Sequence, residues 1–130
     1  LINRAELQFY STNSTLYPVA TQLIALTKNS SNVFSRVSDA NYSLQVADTY
    51  TLFGGRPQKV STDLVKYQMT LTDHFQSIVK DTTGDALKRS IYLNFESSDN
   101  LQLLTTSRNI IYGPGDATYP LKVRIKYTKL

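Results

Sequence analysis

The opening segment LINRAELQFY (residues 1–10) alternates apolar and polar side chains. Leu1, Ala5, Leu7 and Phe9 share one face of an extended chain, and Arg4, Glu6 and Gln8 share the other. A period of two predicts a half-buried strand, because successive side chains of a strand point to opposite faces. The period returns in Val65, Tyr67, Met69 and Leu71, set against Lys66, Gln68 and Thr70. It returns again in Ile91, Leu93 and Phe95, set against Tyr92, Asn94 and Glu96. The closing strand, residues 121–127, is expected to turn Val123, Ile125 and Tyr127 to the core. That leaves Lys122, Arg124 and Lys126 as an exposed basic row, a common guard against edge pairing. If first and last strands pair, Glu6 opposes Lys122, Arg124 or Lys126.

Weaker signals fill the intervals. Residues 19–27 are apolar or small throughout and read as a buried strand, with Tyr17 biased to extended backbone by Pro18. Residues 28–40 read as a Ser- and Asn-rich loop tucking in Val33, Phe34 and Val37, and residues 41–45 as a short strand. Gly54-Gly55-Arg56-Pro57 is a strong breaker. Behind Thr72-Asp73, a plausible N-cap and acidic first turn, Phe75, Ile78 and Val79 are spaced i, i+3, i+4. This predicts a helix over residues 73–80 with His74 on its exposed side. Residues 81–85 stop it. Residues 109–112 read as a strand, and Gly113-Pro114-Gly115-Asp116 as a turn in which Pro fixes φ and Gly supplies the permissive position. Arg108 is placed to tie loop carbonyls or Asp116.

Several short strands with turn chemistry between them predict an all-β fold, an antiparallel β-sandwich of jelly-roll type with one short helix over residues 73–80. The length, 130 residues, fits a single domain over 1–130 with a core of its own. With 14 Lys and Arg against 10 Asp and Glu, a net charge of +4 is too small to predict nucleic acid as a partner. The chain has no cysteine, which removes disulfides, thiolate nucleophiles and Cys-based metal sites. No apolar run approaches the roughly 18 residues of a membrane helix. A chain opening in mid-strand without Met is expected to be a processed or excised piece of something longer.

Catalytic patterns are sparse. His74 is the one histidine, so any Ser-His-Asp triad would have to use it. H-E-x-x-H, G-x-S-x-G and P-loop motifs are absent, and Gly113-Pro114-Gly115 lacks the following helix and Lys of a phosphate loop. Asp63, Asp73, Asp81, Asp85, Glu96 and Asp99 form no recognisable acid pair. Asp81 and Asp85 about Gly84 offer oxygen ligands but not the D-x-D-x-D-G pattern of a calcium loop. Asn13, Asn29 and Asn41 open Asn-x-Ser/Thr triplets in expected turns. No catalytic residue, metal or cofactor is therefore expected. The nine tyrosines do admit a ligand platform, for which Tyr92, Tyr112 and Tyr119 are the candidates, since Tyr offers area and a hydroxyl together.

The order LINRAELQFY, KYQMTLTDHFQSIVKD, SIYLNFES, TSRNIIYGPG and PLKVRIKYTKL resembles the C-terminal domain of a Bacteroidota outer-membrane lipoprotein family of unknown function. It is also similar to DNRLRE-like β-sandwich domains of secreted surface proteins. The likeness covers both ends, about half the chain; residues 29–63 depart from it. It implies the C-terminal part of a longer lipoprotein at the cell envelope, surface-exposed or periplasm-facing, touching membrane only through a lipid anchor. It implies no catalysis. The partner would be a protein at the outer membrane, in assembly or binding. The alternatives are a surface glycan held by a carbohydrate-binding module, and a fimbrial or adhesin role. Asp81-Thr82-Thr83 resembles a short O-glycosylation acceptor of the same organisms.

Overall fold

A computed structural model describes residues 1–95 and 107–129. In chain order they form β1 (Ile2–Thr12), β2 (Leu23–Lys28), β3 (Phe34–Arg36), α1 (Ser38–Ala47), β4 (Gln58–Ser61), β5 (Leu64–Thr70) and α2 (Thr72–Lys80). A 3-10 turn (Ala86–Arg89), β6 (Tyr92–Phe95) and β7 (Lys122–Tyr127) complete them. The fold is mainly β, with two antiparallel sheets ordered β4-β5-β1-β7 and β3-β2-β6. Among the described residues no helix is long and apolar enough to cross a membrane. Glu96 and Asp99 lie outside the described residues.

β1 is the spine. Ala5, Leu7 and Phe9 are buried as their period predicts, and β1 pairs on one side with β5, setting Leu7 opposite Met69 and Phe9 opposite Tyr67. The Phe9 and Tyr67 rings stack at 5.3 Å. First and last strands do pair, with Glu6 opposite Arg124. One core cluster takes Leu7, Phe9, Val65, Tyr67 and Met69 from the larger sheet and Leu23, Ile24 and Ala25 from the smaller. Gly54-Gly55 links the sheets: Gly55 N–H donates to Gln68 O at 2.9 Å, and Gly55 O accepts from Leu23 N–H at 2.8 Å. Both glycines have positive φ, and a Cβ on Gly55 would stand 2.1 Å from Leu23 O. The breaker is a backbone cross-link.

Several expectations are corrected. Residues 41–45 are not a strand: they lie inside α1, so the chain has two α-helices instead of one. Val37, Ala40 and Leu44 meet the core at i, i+3, i+7, a helical spacing masked by exposed Tyr42 and Val46 on the other side. Val33 and Phe34 are exposed rather than tucked in, while Val37 is buried. β3 is a short strand inside the segment 28–40 expected to be loop, and β4 is a further short strand directly after the Gly54–Pro57 breaker. Residues 109–112 form only an isolated bridge, Ser11 to Ile111. His74 is buried at 5% exposure and Val79 faces out, so α2 is rotated from its expected face. Finally, Val123, Ile125 and Tyr127 are 43%, 44% and 71% exposed, not core. They lie on the core side of β7, but among the described residues β7 is the edge strand and its side chains lie outside the core cluster.

Candidate functional site

The edge beside β1 is assembled from two pieces of chain. β7 covers residues 2–8 of β1, in antiparallel register from Ile2 opposite Tyr127 to Gln8 opposite Lys122. Farther along, Tyr112 N–H donates to Tyr10 O and Thr12 N–H donates to Ile110 O, both at 3.0 Å. Residues 110–112 and 122–127 therefore run in one direction along one partner. Residues 113–121 leave this line and return to it, and Leu121 N–H closes the excursion on Gly113 O at 3.1 Å. The Gly113-Pro114-Gly115-Asp116 segment is a turn as expected, with Asp116 N–H donating to Gly113 O at 3.3 Å, and it opens this inserted loop.

Asp116 shapes that loop. Its Oδ1 accepts from Thr118 N–H at 3.0 Å and Tyr119 N–H at 2.6 Å, a side-chain-closed turn. The turn brings the Tyr119 ring to 5.1 Å from Tyr10 and 5.6 Å from Tyr112, tilted by 47° and 56°. All three rings are half-buried. Gln8, buried beneath, donates from Nε2 to the Tyr10 hydroxyl at 3.4 Å. The tilts give a packed cluster of inclined rings, not one flat stacking surface.

Next to the tyrosines lies a basic field. The alternation that buries Leu7 and Met69 turns Arg4, Glu6 and Gln8 of β1 to the opposite face. Cross-strand register places Lys66, Gln68 and Thr70 of β5 there, with Lys122, Arg124 and Lys126 of β7. Glu6 is the one carboxylate in those three rows, and Arg4 ion-pairs with it. Among the described residues Lys122, Arg124 and Lys126 have no carboxylate within ion-pair distance. Tyr hydroxyls, amides and cations converge here, a set suited to acidic groups and to ligands rich in oxygen.

The expected platform is thus split. Tyr112 and Tyr119 come together, and Tyr10, absent from the prediction, joins them. Tyr92 lies on the smaller sheet, edge-on to Phe34 at 5.2 Å, and Phe34 in turn sits under Lys28. In the basic row Arg124 and Lys126 are exposed and Lys122 is half-buried. Lys66 is an addition that its alternation with Val65 and Tyr67 already carried. Nothing local in the sequence carries the Tyr10–Tyr112–Tyr119 grouping, because it depends on the two-piece edge.

Other candidate groups are engaged in structure. Both Asp39 carboxylate oxygens accept from the first turn of α2, from Asp73 N–H and His74 N–H at 3.0 Å each, capping the helix from another element. Burial pushes the Asp39 carboxyl up, against those two bonds; the charge of Asp73 pushes the same way. Burial holds His74 below its ordinary value, while the Lys88 backbone and the Asp39 charge favour the imidazolium and the Lys88 charge opposes it. His74 Nε2 is buried without a hydrogen-bond partner among the described residues. Thr72, expected as N-cap, instead accepts Ala5 N–H on Oγ1 at 3.1 Å.

Asp81 is tied into its own turn, accepting from Thr83 N–H, Thr83 Oγ1 and Asp85 N–H, which hold its carboxyl down at about 2. Asp85 caps the 3-10 turn through Leu87 N–H. Among the described residues no group of three or more His, Asp or Glu is placed to hold a metal. Thr82 is exposed beside this turn. Arg108 does not reach for Asp116; its guanidinium lies over the Tyr17 ring at 5.7 Å. An open groove of about 370 Å³ between β2 and the 3-10 turn is lined by Lys28, Asn29, Ser35, Asp85 and Lys88, among others, without convergent buried groups. No family model, curated protein or solved structure matches the chain.

Proposed function

We propose that the chain is a non-catalytic binding module, a two-sheet sandwich of the cell envelope that acts in protein assembly or binding at the outer membrane. The supporting observation is the outer face of the larger sheet. Lys66, Lys122, Arg124 and Lys126 gather there around one carboxylate, beside the Tyr10–Tyr112–Tyr119 cluster. A single-sign field flanked by aromatic area favours an acidic partner surface, through steering and through burial of the tyrosine edges. The sandwich arrangement is supported by the core cluster that both sheets share. The envelope setting and the lipid anchor rest on the resemblance of the terminal motifs.

A second reading, a carbohydrate-binding module, draws on the same tyrosines, of which Tyr10 holds its hydroxyl against the Gln8 amide. Their mutual tilt favours an irregular, acidic glycan over flat stacking of a neutral sugar ring.

Immobilised protein exposed to solubilised outer membrane and, separately, to purified surface glycans tests the proposal. One membrane protein retained in stoichiometric amount, and lost at least about tenfold in a K66E/K122E/R124E variant that still folds, is the expected result. Retention unchanged by that variant would overturn it. Glycans retained without a protein would transfer the face to the second reading.

A further inference from the structure

The free edge of β7 adds a more specific feature, resting on the binding reading above. Among the described residues β7 is outermost in its sheet. The direction of its backbone groups follows from its neighbours. Thr128 N–H donates to Leu1 O, and Ala5 O accepts from Leu71 N–H on the far side of β1. With Tyr10 O taken by Tyr112 N–H, the even-numbered residues of β1 turn their backbone groups to the β7 side. Register then points Lys122, Arg124 and Lys126 amides at β1 and leaves those of Val123, Ile125 and Tyr127 outward. Three N–H and C=O pairs thus stand at the margin, with no partner among the described residues.

Side chains follow the same alternation. Val123, Ile125 and Tyr127 project on the core side of the edge, 43%, 44% and 71% exposed. Lys122, Arg124 and Lys126 project on the other side, without ion-pair partners among the described residues. We infer that this edge takes up an extended acidic peptide segment of a partner protein, one that alternates carboxylates with apolar residues, as an added strand of the sheet. Such a strand would lie about 4.8 Å beyond β7. Its carboxylates would sit opposite Lys122, Arg124 and Lys126 in non-hydrogen-bonded positions, where cross-strand side chains come closest. Its apolar residues would extend the surface of Val123, Ile125 and Tyr127 and complete the cover of the overhanging core.

The same pattern rejects a second copy of this chain. Antiparallel self-pairing centred on Arg124 sets Arg124 against Arg124 and Lys122 against Lys126, like charges opposed at every basic position. The edge discriminates by charge.

The test uses the full chain and a capped heptapeptide, Val-Glu-Val-Glu-Val-Glu-Val, followed by fluorescence anisotropy and by amide exchange at residues 122–127. Binding is expected to weaken steeply as salt rises from about 50 to about 500 mM, and at least about tenfold in Arg124→Glu. Exchange should slow at Val123, Ile125 and Tyr127. Alternate N-methylation of the peptide backbone, and Ile125→Pro, should each abolish binding; the Ile125 amide is not used by β1, so that variant keeps its bonds to the sheet. Equal binding of the N-methylated peptide, or of a glutamate–glycine peptide of the same charge, would overturn strand addition and leave only a basic field. Absence of binding to the heptapeptide would also overturn it. The outer-face reading stands or falls separately, by the retention of membrane protein in the K66E/K122E/R124E variant.

Discussion

At the scale of single residues, a buried polar network ties three segments of the chain together. Asn109 is its centre. Its Oδ1 accepts from Ala20 N–H at 3.0 Å, and its Nδ2 donates to Ser11 Oγ and to the Tyr67 hydroxyl, both at 3.1 Å. Tyr67 in turn donates to Ala20 O at 2.6 Å. Asn109→Ala leaves these groups unpaired and should cost about 1–3 kcal/mol in chemical denaturation. His74 carries a pH dependence whose sign follows from its environment. Its value in the fold lies below the ordinary 6.5, so the stability it supports is complete above that value. That stability is lost as pH falls through 6.5 towards the lower folded value. Asp39, raised by burial, acts in the opposite sense: its contribution is complete below its ordinary 3.8 and is lost as pH rises through the higher folded value. The melting temperature should therefore fall between about pH 7 and about pH 5, and His74→Gln should flatten that slope.

At the scale of elements, two connections decide how strands and helices are held. Asp39, in the first turn of α1, supplies the acceptors for the first turn of α2, because the α2 N-cap position, Leu71, has no side chain able to cap. Asp39→Ala should lower stability by about 0.5–2 kcal/mol, read as a shift in denaturation midpoint with little change in slope. Gly55 joins the sheets at φ +82°, with Leu23 O where a Cβ would go. Gly55→Ala should cost about 2 kcal/mol or more, and Gly84→Ala, which meets nothing within 4 Å, should cost less. The element pattern was legible where the period was long and clean: β1, β5 and β7 were found in place. It was obscured at α1, where Val37, Ala40 and Leu44 carry the helical spacing among polar residues and two exposed apolar ones. Short β3 and β4 have exposed residues throughout, so no alternation marks them.

At the scale of the molecule, position in the sheet outweighs residue type. Phe9 and Ile125 both sit on the core side of the larger sheet, one in an inner strand and one at the margin. Phe9→Ala should cost about 3–5 kcal/mol, whereas Ile125→Thr should stay within about 1 kcal/mol, by equilibrium unfolding. The difference measures how far the core extends beneath the edge. It also explains why an apolar row became surface, and why that row lies beside cations suited to a partner. Lys122, Arg124 and Lys126 were legible as a basic row. Their lack of carboxylate partners among the described residues was not, since it depends on Arg4 having taken Glu6.

The sequence by itself determined the long strands, the face on which each side chain lies, and the mainly β class, because side-chain alternation is a local consequence of backbone geometry. Only the tertiary structure decided which strand is the edge, and that the chain leaves and rejoins that edge between Tyr112 and Lys122. It alone placed Tyr10, Tyr112 and Tyr119 together and buried His74 beneath the helix cap. These outcomes depend on which distant segments compete for the same neighbour, and a period of two or of 3.6 carries no information about distant neighbours.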